Sequence, residues 1–230
     1  MAKINFGTIV NDARGKIDGI VFSKSRAGAY VRGKVSPAQP QRPQQSARRT
    51  FFTQATREWS ADLSPAQRFA WDGVAKFTPI KDRFGHSVIL TGHQLYVKLN
   101  ATLLYYTGAS APDAPNDLSV EPPLTFSAVA DASAHTLALT FTPTPVPADT
   151  LFAFFATPQL PAGRQSVASR FTHLVDVDAA GTSPHAAGTL YESVFGTLTE
   201  GKNIGLYVIS VNTLTGAQSQ PLRIVITVVA

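Results

Sequence analysis

The feature that most constrains the fold is a change of composition at residues 107–123, TGASAPDAPNDLSVEPP, which holds four prolines among small polar residues. Proline biases itself and the residue before it to extended backbone, so this stretch predicts a linker with a boundary near Pro115. The net charge changes at the same place, because residues 1–111 carry +10 and residues 112–230 carry −5. We therefore expect two parts with different surroundings.

The second half predicts an all-β sandwich over residues 124–230, after a Pro-rich linker at 112–123. Its apolar runs are short, and clusters of Gly, Pro, Asn and Asp separate them, which is typical of two packed antiparallel sheets. The seven predicted strands are Leu124–Val129, Thr136–Thr142, Leu151–Thr157, Phe171–Val177, Tyr191–Gly196, Ile204–Asn212 and Leu222–Val229.

Residues 1–45 predict an extended arm. Short β-like runs are punctuated by Gly, and Ser25–Gly28 is a plausible turn joining two of them in a hairpin. Residues Pro37–Gln45 are rich in Pro and Gln, which favours an extended polyproline-like track. Because these few strands cannot enclose a core, we expect the arm to become ordered only against a partner.

Residues 46–111 predict a small domain of three helices. Ser64 and Gln67, and again Thr91 and Gln94, have the spacing of a capping box at a helix start. Apolar residues recur at helical spacing and should face a common core. These residues are Phe51, Phe52, Ala55, Trp59, Leu63, Phe69, Trp71, Val74, Phe77, Leu95, Leu99 and Leu103. The expected fold class is thus α+β, with a hairpin arm, a helical segment and a sandwich.

Two segments carry resemblances to known families. The stretch Gly205–Pro221, GLYVISVNTLTGAQSQP, followed by Leu222–Val229, resembles the last two strands of a fibronectin type III or immunoglobulin-like domain. The order of Gly15–Ser23, Gly28–Arg32, Pro40–Gln45, Arg48, Arg49, Trp59 and Arg68–Trp71 resembles the N-terminal region of uncharacterised proteins of tailed phages and prophages. The second resemblance implies a structural protein of the virion, assembled in the bacterial host cytoplasm, and it carries no catalytic residue.

Signals for chemistry are weak, so we expect no enzyme activity, no cofactor and no metal. The chain has no cysteine, no Gly-x-Ser-x-Gly elbow and no phosphate-binding glycine loop. The pair His86 and His93 has the wrong spacing for a helical zinc site, and Asp176–Gly181 has only the opening of a calcium loop. No apolar run approaches the ~20 residues of a membrane-spanning helix, and the N-terminus lacks the apolar core of a signal peptide.

The basic charge of the N-terminal region is the sharpest functional signal, since residues 1–57 have a net charge of +9. Ten residues are predicted to bind a partner: Arg14, Lys16, Lys24, Arg26, Tyr30, Arg32, Lys34, Arg42, Arg48 and Arg49. Nucleic acid is one acidic partner that would suit them. An acidic protein surface is the other, and we favour it because apolar β runs alternate with the charges.

These features together predict a non-enzymatic virion component. We expect a minor capsid or decoration protein whose arm anchors it to the major capsid protein or another virion protein, in an oligomer or lattice. A tail or connector component, or a nucleic-acid-binding protein, is the alternative. The runs Leu151–Ala156 and Ile224–Val229 are apolar on both faces. Cover by a neighbouring subunit and dense packing within the chain both account for them.

Overall fold

The computed structural model describes residues 2–4, 7–8, 10, 12–25, 28–35, 43–81, 86–164 and 171–230. The chain divides into two compact units, Met1–Gln45 and Ser46–Ala230. The predicted helical domain, linker and sandwich therefore fall together in the second unit.

The first unit is an antiparallel sheet of four strands, β1 (Ala2–Lys3), β2 (Gly15–Ile17), β3 (Ile20–Ser25) and β4 (Gly28–Gly33), in the order β1-β4-β3-β2. The predicted hairpin is present, since β3 and β4 pair as far as Ser25 opposite Gly28. A second tight turn at Asp18 and Gly19 joins β2 to β3, with Asp18 at φ +47°. The sequence from Lys16 to Lys24 therefore contributes to two strands.

Between β4 and residue 112, the described residues form three helices, α1 (Pro43–Ala61), α2 (Pro65–Phe77) and α3 (Gly92–Tyr106). Both predicted capping boxes are formed, by Ser64 with Gln67 and by Thr91 with Gln94. The predicted extended track is wrong at its end, because α1 already begins at Pro43 and includes Gln44 and Gln45; residues 36–42 lie outside the described residues. Between α2 and α3, the short strands β5 (Ile80–Lys81) and β6 (Ser87–Val88) pair with each other.

An aromatic core holds the helices together. Trp71, on α2, is only 1% exposed, and its ring meets that of Tyr96, on α3, edge to face at 5.2 Å between centroids. Trp59 of α1 is half-buried and lies 5.4 Å from the same tyrosine ring. The expectation that Phe52, Phe69 and Phe77 share this core is wrong, because all three side chains are exposed. No helix in the described ranges is long and apolar enough to cross a membrane.

The Pro-rich stretch predicted as a linker lies against the helices. The indole N–H of Trp71 donates a hydrogen bond to the carbonyl of Pro112 at 2.9 Å, and the Asn100 side chain accepts one from the Ala111 N–H at 2.6 Å. Leu118 and Val120 pack against the same helical core. The stretch forms neither helix nor strand, and these contacts fix its position.

The rest of the chain is a β-sandwich with one added helix. One sheet has the order β10-β9-β12-β13 and the other β11-β8-β7, and all neighbouring strands within them are antiparallel. The elements are β7 (Thr125–Asp131), β8 (Thr136–Thr142), β9 (Thr150–Ala156), β10 (Thr172–Val177), β11 (His185–Ala186), α4 (Gly188–Phe195), β12 (Asn203–Asn212) and β13 (Leu222–Thr227). Side chains such as Leu139, Phe154 and Leu206, all fully buried, fill the space between the sheets.

The predicted strand at Tyr191–Gly196 is wrong, because those residues form most of α4 and its end. Tyr191 is fully buried, and its hydroxyl donates to the carbonyl of Thr157 at 2.9 Å. Gly188 lies against the backbone of β8, where a Cβ would be 2.4 Å from the carbonyl oxygen of His135. Gly188 and Tyr191 thus let a helix pack where a strand was expected. The strand before this helix, β11, has only two residues.

The two apolar strand runs have different surroundings. Leu151, Ala153 and Phe155 of β9 form a second cluster on the outer face of the larger sheet, with Tyr106 of α3 packed against it. Packing within the chain therefore accounts for the double-sided apolar character of β9. Along β13 burial alternates, and Val225 is 40% exposed, so this edge strand has one open face.

Candidate partner-binding site

The arm sheet separates its residues into an apolar face and a basic face. Residues opposite each other in an antiparallel pair share a face, and alternate residues of one strand point to opposite faces. Phe22 is opposite both Gly15 and Val31, and Ile20 is opposite Ile17. The apolar face consequently contains Ile17, Ile20, Phe22, Ala29 and Val31, and Lys24 lies at its end, opposite Ala29.

The other face carries predicted binding residues. Lys16 and Arg32 are both opposite Val21, on either side of β3, so their side chains share the face of that valine. Tyr30 lies between Ser23 and Lys3 on the same face. Three of the ten predicted residues, Lys16, Tyr30 and Arg32, are thus brought together on the basic face.

Neither face of the arm sheet is covered by a core. None of the described residues in 1–35 is buried, and on the apolar face Ile17 is 70% exposed and Ile20 is 47% exposed. A sheet normally buries one face against another layer, because the apolar area removed from water is what offsets the loss of chain entropy. Phe22 and Val31 on this face are half-buried, and none of the described residues of the first unit forms a second layer that would stabilise the sheet.

The remaining predicted residues are spread more widely. Asp12 accepts ion pairs from Arg14 at 3.2 Å and from Lys24 at 4.0 Å, and all three side chains are substantially exposed. Pairs of this kind contribute about 0–1 kcal/mol, so they do not replace a core. Lys34 is exposed directly after β4, and its backbone N–H donates to Gly19 at 2.7 Å. Arg26 and Arg42 lie outside the described residues.

Arg48 and Arg49 belong to the second unit and not to the arm sheet. Both lie on α1, where the guanidinium of Arg48 is 4.4 Å from the ring centroid of Tyr105, a cation–π contact between two helices. Arg49 is exposed on an open polar groove along α1. The structure places these two arginines on a helix, and their part in partner binding stays a prediction.

The sandwich carries a histidine–carboxylate pair at its seam with α3. Nε2 of His173 lies 2.7 Å from Oδ1 of Asp176, and the imidazole ring is within 6.3 Å of the rings of Tyr105, Tyr106 and Phe155. Burial, and then the nearby Asp176 carboxylate, raise the pKa of Tyr106 well above its usual range. The surrounding aromatic rings fit a packing role for this pair.

The candidate metal-ligating residues of the sequence have ordinary surroundings in the described part of the chain. Over the described ranges, no three His, Asp or Glu side chains gather as a metal site would require. Asp176, one carboxylate of the candidate calcium loop, is paired with His173.

Some solved structures are similar to about half of the chain. No protein-family model matches the chain, and no curated protein matches it. Among solved structures, an Fn3-like protein from Clostridium thermocellum is 14% identical, with a TM-score of 0.30 over 46% of this chain and 88% of that one. A redesigned β-sandwich protein is 16% identical, with a TM-score of 0.32 over 49% of this chain and 93% of that one.

The chain is an α+β protein that contains an antiparallel β-sandwich. Its three-stranded sheet β11-β8-β7 faces the four-stranded sheet β10-β9-β12-β13, and three strands against four is the division that the predicted fibronectin type III or immunoglobulin-like fold has.

The apolar face of the arm is not among the predicted binding residues. Those are charged residues and one tyrosine, whereas the apolar face contains Ile17, Ile20 and Phe22. A signal was present in Asp18-Gly19, a dipeptide that favours a two-residue hairpin turn. Placing a turn there puts Ile17 opposite Ile20 and places Ile17, Ile20 and Phe22 on the face opposite Lys16 and Arg32.

Proposed function

We propose that this chain is a non-enzymatic structural protein of a tailed-phage particle, a minor capsid or decoration protein that is anchored through its N-terminal arm. The observation that carries the proposal is the arm sheet, which has an apolar face, a basic face and no buried residue among those described. The resemblance of the N-terminal motifs to tailed-phage proteins supplies the setting.

The apolar face supports a protein partner. Ile17, Ile20, Phe22 and Val31 form a small continuous surface that a sheet or helix on a particle could cover. Three-residue strand β2 lies at one edge of the sheet, and its outer side can also pair with a strand of the partner. Apolar contact and strand pairing together would supply the stability that the arm lacks.

The charge of the arm supports an acidic docking surface. Lys16 and Arg32 share the face opposite the apolar residues, and Lys24 and Lys34 are exposed near the sheet ends. Positive charges around a docked segment increase its association rate and fix its orientation, and they add less to affinity than the apolar contact does. Residues 112–230 carry −5, so the sandwich would be repelled from the acidic surface that attracts the arm.

Nucleic acid is the second candidate partner, and the basic face favours it. Lys16, Tyr30 and Arg32 are on one face, where two cations could contact phosphates and a tyrosine ring could stack on a base. This mode leaves the apolar face uncovered, which is why a protein partner is preferred. A position in the tail or connector of the particle would use the same arm surfaces.

Binding to particles tests the proposal. Full-length chain is mixed with particles from a phage in which its gene is deleted, and bound protein is measured by co-sedimentation. We expect Phe22→Glu on the apolar face to lower binding at least tenfold, because a buried charge opposes docking. The control Val225→Glu alters an exposed valine of β13 and should bind as the wild type does.

Two other results would contradict the proposal. Wild-type binding by Phe22→Glu and by the double variant Lys16→Glu/Arg32→Glu would show that neither arm face docks. Binding to a duplex DNA that falls steeply with salt, combined with no binding to particles, would favour the nucleic-acid alternative.

A further inference from the structure

Helix α2 has an apolar surface on the side that faces away from the helical core. Trp71 and Ala75, each 1% exposed, face the core. On the opposite side lie Phe69 and Phe77, which are 77% and 89% exposed, with Gly73 midway between them. Ala66 and Ala70 extend the same surface, which we call the Phe69–Phe77 stripe. The outward side of a helix is normally polar, so this stripe is a candidate interface.

Gly73 at the centre of the stripe has no explanation within the described chain. Glycine in a helix interior is unfavourable compared with alanine. A Cβ added to Gly73 would meet no atom within 4 Å, so no described contact within the chain requires the glycine. The absence of a side chain at this point does allow another backbone to approach the helix closely.

We infer that the Phe69–Phe77 stripe binds the same stripe of a second copy of the chain, with the two α2 helices antiparallel around a two-fold axis at Gly73. The stripe has the same spacing in both directions, because each phenylalanine is four residues from the glycine. A two-fold axis at Gly73 therefore sets Phe69 of one copy against Phe77 of the other, twice. The two glycines meet at the closest point of the helices.

Charges beside the stripe are complementary in this arrangement. Asp72 and Lys76 lie on the same flank of α2, and both residues are exposed. Oδ1 of Asp72 accepts a hydrogen bond from the Gly92 N–H at 2.9 Å, which leaves Oδ2 to face a second copy. The two-fold axis brings this flank of one copy against the same flank of the other. Asp72 is one residue before Gly73 and Lys76 is three residues after it. At ~1.5 Å of rise per residue, Lys76 of one copy and Asp72 of the other then differ by about 3 Å in height along the helix axis. The contact would contain two such ion pairs. Two α2 helices that ran parallel would not place Lys76 of one copy beside Asp72 of the other.

The size of the stripe predicts a weak dimer. Four phenylalanine rings bury about 600–1,000 Å² in all, at ~150–250 Å² each, which is below the ~1,200 Å² of a standard stable interface. Copies held side by side on a particle would have a high effective concentration, and the contact would then form readily. The contact itself does not depend on the arm, so it is independent of the docking proposed above.

A single introduced cysteine tests the two-fold axis directly, because the chain has no cysteine of its own. In Gly73→Cys the new thiol meets open space within its own chain, and the axis brings it next to the thiol of a second copy. Under mild oxidation we expect a disulfide-linked dimer to form at least tenfold faster than for the control Ala61→Cys, an exposed position at the end of α1. Equal rates for the two variants would overturn the inference.

Sedimentation velocity over a concentration series gives the second test. We expect the wild type to dimerise at high concentration, and the double variant Phe69→Ala/Phe77→Ala to have a dimer Kd at least tenfold higher. Lys76→Glu should also weaken the dimer, because it places a carboxylate near Asp72 of the other copy. The control Phe52→Ala, which alters an exposed phenylalanine of α1, should dimerise as the wild type does. A wild-type chain that stays monomeric up to millimolar concentration would overturn the inference.

Discussion

A substitution at Gly216 tests whether the helices and the sandwich form one cooperative unit. Gly216 lies in the turn after β12 at φ +73°, and a Cβ there would be 2.2 Å from the carbonyl oxygen of Leu99 on α3. The neighbouring Ala217 is 4% exposed and belongs to the helical core. The turn of the sandwich is thus packed directly on α3.

Two costs add in Gly216→Ala. The left-handed backbone conformation costs a residue with a Cβ about 1–2 kcal/mol. The contact with the backbone of α3 cannot be relieved by a side-chain rotation, and overpacking of this kind costs about 1–3 kcal/mol. The free energy of unfolding should therefore fall by about 2–5 kcal/mol. In the control Gly201→Ala the backbone has φ +74° but the Cβ meets nothing within 4 Å, so only the first cost of about 1–2 kcal/mol applies.

Urea unfolding followed by tryptophan fluorescence and by circular dichroism measures this difference. Both tryptophans, Trp59 and Trp71, lie in the helices, whereas the circular dichroism also reports the sandwich. We expect Gly216→Ala to shift both signals to lower urea, and by more than Gly201→Ala does. Equal destabilisation by the two variants would refute the packing of the turn on α3.

Three further predictions concern single residues. Tyr191→Phe removes a buried hydroxyl and leaves the Thr157 carbonyl without its donor, so the free energy of unfolding in urea should fall by about 1–3 kcal/mol. A hydrogen bond from the Leu198 N–H to the Glu192 carboxylate lowers the pKa of Glu192. The ionised carboxylate therefore stabilises the fold above the usual pKa of a glutamate, and this stabilisation is lost as the pH falls through the lowered pKa. The difference in unfolding free energy between wild type and Glu192→Gln should therefore shrink between about pH 6 and pH 3. Phe22→Ala lies outside any core, so tryptophan-detected unfolding should change by less than about 0.5 kcal/mol, and a larger change would show that the arm supports the second unit.

Local signals predicted much of the second unit. The alternation in Thr136–Thr142 fixed β8 to the residue, and the capping boxes at Ser64 and Thr91 fixed the starts of α2 and α3. These features depend on side chains within a few residues of each other, which a sequence displays directly.

Features that depend on distant contacts were not predictable. The segment of α4 is rich in β-forming residues, and it becomes helical because Tyr191 reaches Thr157 and Gly188 fits against β8. Phe69 and Trp71 are both large aromatic residues of α2. Trp71 is buried and Phe69 is exposed because α3 packs on the side of α2 that carries Trp71. In the arm, the division into two faces depends on the turn at Asp18, which shifts the register of every residue after it.

Hydrogen exchange of the full-length chain, free and bound to particles, tests the central claim most directly. In the free chain, amides of β3 in the arm should exchange within the shortest labelling time, whereas those of β12 in the sandwich should be strongly protected. On particles, the β3 amides should become protected. Protection of β3 in the free chain equal to that of β12 would contradict the account, because the arm would then be stable without a partner.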